Sequence, residues 1–164
     1  MAQRIVRRTG FGRLRAPLDL LRKLRHDYSR IKGDPNVEYA AFDFFVTAEH
    51  ILDWLLPGNA KRDERERLRA SDPLLEITWD IASGAKHFFV EARGHVSVSH
   101  TDVAPAVFDS EAFDHEGFQT ADELFVTLEG RAAARFGLRM EILPLAALVL
   151  AYWENWFAAD ASTS

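Results

Sequence analysis

Residues 36–56, NVEYAAFDFFVTAEHILDWLL, decide the fold of this chain. Aromatic and aliphatic side chains recur there every three or four residues on one stripe, and they also cover most of the remaining circumference. A helix that is apolar nearly all round is buried on several sides. We therefore predict a helix over this range in the middle of the molecule, with its polar residues in contact with polar partners.

The polar exceptions on this helix define a candidate site. They are Asp43, Thr47, Glu49, His50 and Asp53. Seven residues make nearly two turns, so Asp43 and His50 share one side, and Asp53 and Trp54 lie one turn beyond His50. A buried carboxylate is costly unless it is paired. We expect the His50 imidazole to pair with Asp53 or Asp43, either as a structural bridge or as part of a reactive centre.

Helix-breaking residues and helical periodicity predict where the neighbouring helices begin and end. A first helix is predicted over 17–31, with Pro17 at its start and a Gly-Asp-Pro sequence after its end. Residues 60–70 are almost entirely charged and form either an exposed helix or a solvated loop. Asp72 is a predicted N-cap followed by proline, so a further helix is expected over 73–89, and the last helix over 142–158.

The periodicity changes after Gly94. Residues 96–99 and 124–128 predict short strands, and a short helix is expected over 131–136. The fold class is therefore mainly α, a bundle of three to four main helices with a small β-rich excursion over about 94–130 before the last helix. We expect one helical domain over 17–158, between a basic flexible arm over 1–16 and a disordered tail over 159–164.

The helix over 73–89 adds a second polar group. Its polar side carries Glu76, Asp80, Ser83 and His87, with Lys86 adjacent. Histidine titrates near neutral pH, so a cleft shared by two imidazoles with carboxylate neighbours suits general acid–base chemistry. The catalytic candidates are His50, Asp53, Lys86 and His87, and the remaining polar centre is Asp43, Glu49, Trp54, Asp80 and Ser83. The alternative is that this polar side simply faces solvent.

Charge is unevenly distributed along the chain. Residues 1–32 carry ten Lys/Arg and two Asp, whereas residues 33–164 carry ten Lys/Arg and 23 Asp/Glu. The first fifteen residues contain five arginines and no acid, namely Arg4, Arg7, Arg8, Arg13 and Arg15. This basic arm is a solvated tail, a presequence or a phosphate-binding arm, and the last interpretation makes nucleic acid a candidate partner.

Composition excludes several classes of site. The chain has no cysteine, which excludes disulfides, thiolate nucleophiles and cysteine-ligated metals. Because no closely spaced histidine motif occurs, we predict no metal and no cofactor. The longest apolar run, residues 142–153, is shorter than the roughly 20 residues that cross a bilayer, so we predict no membrane contact and a cytoplasmic location.

Two strings carry a family resemblance, TAEHILDW at 47–54 and IASGAKHF at 81–88. They resemble the A-E-H-x-x-D-W and A-x-G-A-K-H-F motifs of small uncharacterised bacterial and prophage proteins, over about residues 17–158. A more distant resemblance is to HEPN-type helical domains, and it implies a bundle of that general kind. The HEPN spacing of arginine and histidine occurs only from Arg93 to His100, where Gly94 replaces the usual polar residue and a strand is predicted.

Two functions follow as expectations. The first is a soluble helical interaction or accessory protein of bacterial or phage origin, with a protein partner or self-association, because so many aromatic residues are hard to fit inside one small core. The alternative is a hydrolytic enzyme that acts on RNA, with His50 and His87 as the acid–base pair and Lys86 stabilising developing negative charge. Whether the chain is an enzyme stays open at this point.

Overall fold

The computed structural model describes residues 10–33, 37–86, 97–104 and 123–162. Its helices are α1 (Pro17–Ile31), α2 (Val37–Leu55), α3 (Arg62–Ser71), α4 (Pro73–Lys86), α5 (Gly130–Phe136) and α6 (Ile142–Ala161). Its strands are β1 (Val98–Ala104), β2 (Glu123–Leu128) and β3 (Arg139–Glu141). The predicted fold class, mainly helical with a small sheet before the last helix, is confirmed.

Of the two alternatives for residues 60–70 the structure has the helix, and it differs from the prediction in the sheet and the last helix. The first strand is Val98–Ala104 and not 96–99. The charged segment forms a helix, α3, because Asp63 and Glu64 occupy its first turn and Arg62 pairs with Glu66 one turn later at 2.8 Å. The sheet has a third strand, β3, that the sequence did not indicate. The last helix continues to Ala161, three residues into the tail that was expected to be disordered.

The second helix lies in the middle of the bundle, as predicted. It packs against α1, α4, α6 and β2, and its buried residues are Ala40, Ala41, Phe44, Phe45, Thr47, Ala48, Ile51 and Leu52. Phe44 and Phe45 are fully enclosed and meet edge to face, with ring centroids 5.1 Å apart. Burial of two aromatic rings of this size is among the largest stabilising contributions in a small core.

A tight turn precedes α1. The backbone N–H and C=O groups of Phe11 and Leu14 bond to each other, and Gly12 adopts a positive φ of 57° at the first central position, as in a type II′ turn. The Asp19 carboxylate then accepts hydrogen bonds from the backbone N–H groups of Arg15 and Ala16, both at 3.0 Å. The end of the predicted arm, residues 10–16, is therefore joined to the first turn of α1.

The small antiparallel sheet has the strand order β1-β2-β3. Val126 and Leu128 of β2 are fully buried against the helices, and α6 follows directly from β3. The register between β1 and β2 shifts between Val98 and His100, which marks an irregularity at the start of β1. The sheet therefore covers one end of the bundle with one face and leaves its outer strands at the surface.

The C-terminal helix α6 contributes Leu145, Val149 and Trp153 to the core. Tyr152 and Trp156 stack next to Trp153, with their ring centroids 6.3 Å apart. Of the helices in the described ranges, α6 is the one whose length and mean hydropathy of 1.3 are compatible with a membrane span. In the structure it closes the bundle, and the Arg25–Glu154 ion pair at 2.8 Å joins it to α1.

Candidate functional site

The acids of α2 meet arginines of α3 rather than histidine. Glu49 and Asp53 are spaced four residues apart on α2, and Arg65 and Arg69 are spaced four apart on α3. The Arg69 Nε atom lies 3.0 Å from Glu49 Oε1, and the Arg65 Nε atom lies 3.2 Å from Asp53 Oδ1. Because the two spacings are equal, the four side chains form two ion pairs side by side, like the two rungs of a ladder. We call it the arginine ladder.

The inner rung of the arginine ladder is nearly enclosed. The Glu49 and Arg69 side chains are 12% and 13% exposed, whereas the Asp53 side chain of the outer rung is 45% exposed. Burial raises the pKa of the Glu49 carboxyl to about 7, and the positive charge of Arg69 offsets part of that rise. The Arg69 guanidinium also lies over the Trp79 ring, 5.4 Å from its centroid.

Arg65 has a second role at the end of α2. Its Nη1 atom donates to the backbone carbonyls of Leu56 and Gly58, the latter at 2.9 Å. The last carbonyls of a helix have no partner within the helix, so a cationic side chain stabilises them. The arginine ladder therefore both neutralises the acids of α2 and ends the helix, which makes it a structural device.

The opposite side of α2 carries a buried polar cluster with α1. Lys23 Nζ lies 2.5 Å from Asp27 Oδ2 and 2.8 Å from Thr47 Oγ1. The Thr47 hydroxyl lies 2.8 Å from the same carboxylate and 2.7 Å from the Asp43 carbonyl oxygen, either of which can accept its proton. We call this the lysine cluster. Asp43 itself uses its carboxylate to pair with Arg30 at 2.6 Å.

The expected imidazole–carboxylate pairing on α2 is wrong. His50 is exposed on α2 and has no hydrogen bond or ion pair with any described residue. Both carboxylates that the sequence offered it are occupied, Asp43 by Arg30 and Asp53 by Arg65. Guanidinium groups make the stronger and more specific partners for carboxylates, which explains why they displace the imidazole.

Asp80 is a structural residue in this fold, and it does not lie in a cleft with His50. It is buried on α4, and its Oδ2 atom accepts hydrogen bonds from the backbone N–H groups of Ser97 at 2.9 Å and Val98 at 3.2 Å and from the Ser97 hydroxyl. A buried carboxylate that accepts several neutral donors is well satisfied. Asp80 therefore fixes the start of β1 against α4.

The remaining candidates do not gather around His50. The C-terminal end of α4, at Gly84 and Ala85, faces Glu38 and Phe42 at the start of α2, and His50 is eight or more residues further along α2, about 12 Å at 1.5 Å per residue. Ser83 is half-buried on that end of α4, and Trp54 packs partly buried against the core at the other end of α2. His87 and the Lys86 side chain lie outside the described residues, as do Arg4, Arg7 and Arg8.

A groove that was not predicted from the sequence borders β1, α2 and α4. It encloses about 550 Å³, and its floor includes Phe45, Ile81 and Leu124. Four consecutive residues of β1, from Val98 to Thr101, line it. In the described sheet β1 is an outer strand, so the groove lies at an edge strand, beside the register irregularity between Val98 and His100.

One exposed aromatic side chain of α2 lines this groove, Phe42, which is 48% exposed. An exposed aromatic residue beside an apolar groove is typical of binding surfaces. We call the groove with Phe42 the strand-edge groove. A signal for it was present in the sequence, since Phe42 continues the apolar circumference of α2 beyond what its neighbours cover.

The comparisons with known proteins add no family. Neither a protein-family model, nor a curated protein, nor a solved structure matches this chain. Within the described ranges, no three histidine or carboxylate side chains lie close enough to hold a metal ion. The chemistry of the described residues therefore has to carry the functional proposal.

Proposed function

We propose that this protein is a soluble, cytoplasmic interaction domain of bacterial or phage origin that binds an extended segment of a protein partner in the strand-edge groove. The observation that carries the proposal is the coincidence of a strand edge and an exposed phenylalanine, Phe42, in one groove of about 550 Å³. An added strand gains affinity from main-chain hydrogen bonds and specificity from side-chain pockets.

The order of the strands supports this mode of binding. In the described sheet, β2 lies between β1 and β3, so one edge of β1 bonds to β2 and its other edge has no strand partner among the described residues. Phe45, Ile81 and Leu124 provide an apolar floor. A ligand strand along β1 would place alternate side chains on that floor and against Phe42.

The polar groups at the groove indicate the kind of segment that fits. Glu38 lines one side and is exposed, and Asp102 holds His100 through a contact of 2.6 Å between Oδ1 and Nε2. Asp80 is already satisfied by the start of β1. An extended segment with alternating apolar residues and a basic residue opposite Glu38 complements this set. The segment belongs to another protein or to a second copy of this chain.

The test uses a displayed library of random ten-residue peptides selected against the full chain. A selected peptide should bind, slow amide hydrogen exchange in β1, and lose at least tenfold in affinity with Phe42→Lys. Leu138→Lys is the matched control, because Leu138 is also a large exposed apolar residue but does not line the groove. Failure to select any peptide, or binding that is indifferent to Phe42→Lys and leaves β1 exchange unchanged, overturns the proposal. Self-association that shows the same two responses identifies a second copy as the partner.

A further inference from the structure

The turn before α1 and the outer side of α1 form one basic surface. Its members are Arg13, Arg15, Arg22 and Arg25, all exposed. Residues 10–33 carry seven Lys/Arg and two Asp, although the whole chain has a net charge of -5. We call these four arginines and the protein surface between them the arginine surface. It lies on α1 and the preceding turn, and none of its four arginines lines the strand-edge groove.

Hydrogen bonds hold the arginine surface together. The Arg15 Nε atom donates to the Gly12 carbonyl at 3.2 Å, which holds the guanidinium against the turn that presents Arg13. The Asp19 carboxylate accepts the Arg15 backbone N–H and also pairs with Arg22 at 2.8 Å. Arg25 follows Arg22 by one helical turn. The positions of the four residues are thus coupled through the turn and the first two turns of α1.

The two acids at this surface offset only part of its charge, because two carboxylates face four arginines. Asp19 is occupied by backbone donors as well as by Arg22. Glu154 pairs with Arg25, but both side chains are about half exposed, at 42% and 52%. Exposed pairs of this kind contribute little and exchange readily for a better anion. Lys23 and Arg30 are engaged elsewhere, in the lysine cluster and with Asp43.

We propose that the arginine surface binds the phosphate backbone of a nucleic acid without reading its bases. All four cations are arginines, and the planar guanidinium matches phosphate oxygens in a bidentate way that an ammonium does not. Phe11, 80% exposed at the first position of the turn and two residues before Arg13, offers an aromatic ring on which an unpaired base can stack. An aromatic side chain among arginines is the usual composition of single-strand binding surfaces.

A lipid surface fits these residues less well. A helix that lies in a membrane interface needs a free apolar side to insert. In α1 that side is used by the core, since Leu20, Leu21, Leu24 and Ile31 are buried. Among the outward-facing positions of α1, Leu18 is the exposed large apolar residue. The exposed side is therefore charged and narrow, which favours a linear polyanion over a bilayer.

The test measures binding of a fluorescein-labelled 20-nucleotide single-stranded RNA of mixed sequence by fluorescence anisotropy. With four phosphate contacts, the slope of log K against log salt should be about -3 for single strands. Arg15→Gln/Arg22→Gln should weaken binding about tenfold at low salt and reduce the slope by about 1.4. Arg62→Gln/Arg67→Gln on α3 is the matched control, because it removes the same charge from exposed positions elsewhere.

Two further variants sharpen the result. Phe11→Ala should weaken RNA binding about threefold and leave binding of a 20-base-pair DNA duplex unchanged, since only an unpaired base can stack. Glu154→Gln frees Arg25 and should strengthen binding about twofold. The proposal is overturned by salt-independent binding, by equal losses in the α3 control, or by preferential binding to anionic phosphatidylserine vesicles or to polyglutamate over RNA. Circular dichroism of each variant checks that the fold is intact.

Discussion

The two sides of α2 hold buried carboxylates in different ways. Toward α1, the acid belongs to the neighbouring helix: Asp27 is 1% exposed and is held by Lys23 and Thr47. Toward α3, the acids belong to α2 itself and face two arginines at matching intervals. The lysine cluster thus has one carboxylate and one cation, whereas the arginine ladder has two of each.

Comparison of the two sides shows how a nearly apolar helix can carry charged residues next to its core. Lys23 keeps 37% of its side chain in water, so the cation of the lysine cluster remains partly hydrated while its acid is not. In the arginine ladder it is Asp53 of the outer rung that stays hydrated, and burial of Glu49 in the inner rung raises its pKa to about 7. Removal of a charged side chain should therefore lower the free energy of unfolding by different amounts on the two sides of α2, and with a different dependence on pH.

The largest effect is expected in the lysine cluster. Asp27→Ala removes the acceptor that serves Lys23 and Thr47 and leaves a small cavity, so we expect the free energy of unfolding to fall by about 3 kcal/mol. Chemical denaturation at pH 7 measures this. Glu66→Ala, which removes an acid from the exposed Arg62 pair on α3, is the control and should cause no measurable change. An equal loss in both variants would mean that the burial of Asp27 is energetically irrelevant.

The next effect is a pH dependence that arises from Glu49. Its pKa is about 7 in the folded chain and about 4.3 in an unfolded one. The folded state therefore holds the proton more tightly, and stability that is fully present below pH 4 is lost as the pH rises to 7. Between pH 5 and pH 8 this contribution should fall by about 2 kcal/mol.

Glu49→Gln tests this contribution because it keeps the shape of the side chain and removes the titration. As the pH rises from 5 to 8, the parent chain should lose stability that the variant does not lose. The unfolding free energy of Glu49→Gln should therefore increase relative to that of the parent chain. Asp53→Gln is the control on the hydrated outer rung. A difference that stays constant across this range contradicts the interpretation of the inner rung.

The smallest effect separates the two rungs of the arginine ladder. Arg69→Met deprives Glu49 of its cation, so we expect a loss of about 1–2 kcal/mol at pH 8 and a smaller loss at pH 5, where Glu49 is neutral in either chain. Asp53→Asn on the hydrated rung should cost less than about 0.5 kcal/mol at both pH values. Thermal unfolding at the two pH values measures both variants, and a larger cost for Asp53→Asn would reverse the assignment of inner and outer rung.

Much of the fold could be predicted from local signals. Pro17, the Asp72-Pro73 pair and the helical spacing of apolar residues placed α1, α2 and α4 to within three residues at the described boundaries. Leu18 continues the helical spacing of apolar residues in α1, but its side chain is 43% exposed. Asp27 occupies the buried stripe instead, between Leu24 and Ile31, because a polar residue with two partners can take a core position that hydrophobicity alone does not assign to it.

The candidate site was harder to predict because its partners come from distant helices. The sequence marked Asp43 and Asp53 as acids that need a partner, but it offered His50, the nearest imidazole, to them. The actual partner of Asp53 is Arg65 in α3, twelve residues along the chain, and that of Glu49 is Arg69, twenty residues along. The shared four-residue interval of Glu49–Asp53 and Arg65–Arg69 was the available signal. Asp80 was misread for a similar reason, since only the packing of β1 on α4 encloses it.

The position of α6 has a consequence for synthesis of the chain. The Arg25–Glu154 contact joins residues 129 positions apart, and Trp153 completes a core that α1 and α2 begin. Ribosomes add roughly 5–20 residues per second, so α2 emerges several seconds before α6, the last of the helices that pack against it. During that interval the part of the aromatic core that α6 completes is exposed to solvent. We therefore expect chaperones that bind apolar segments to contact the nascent chain before translation reaches residue 142.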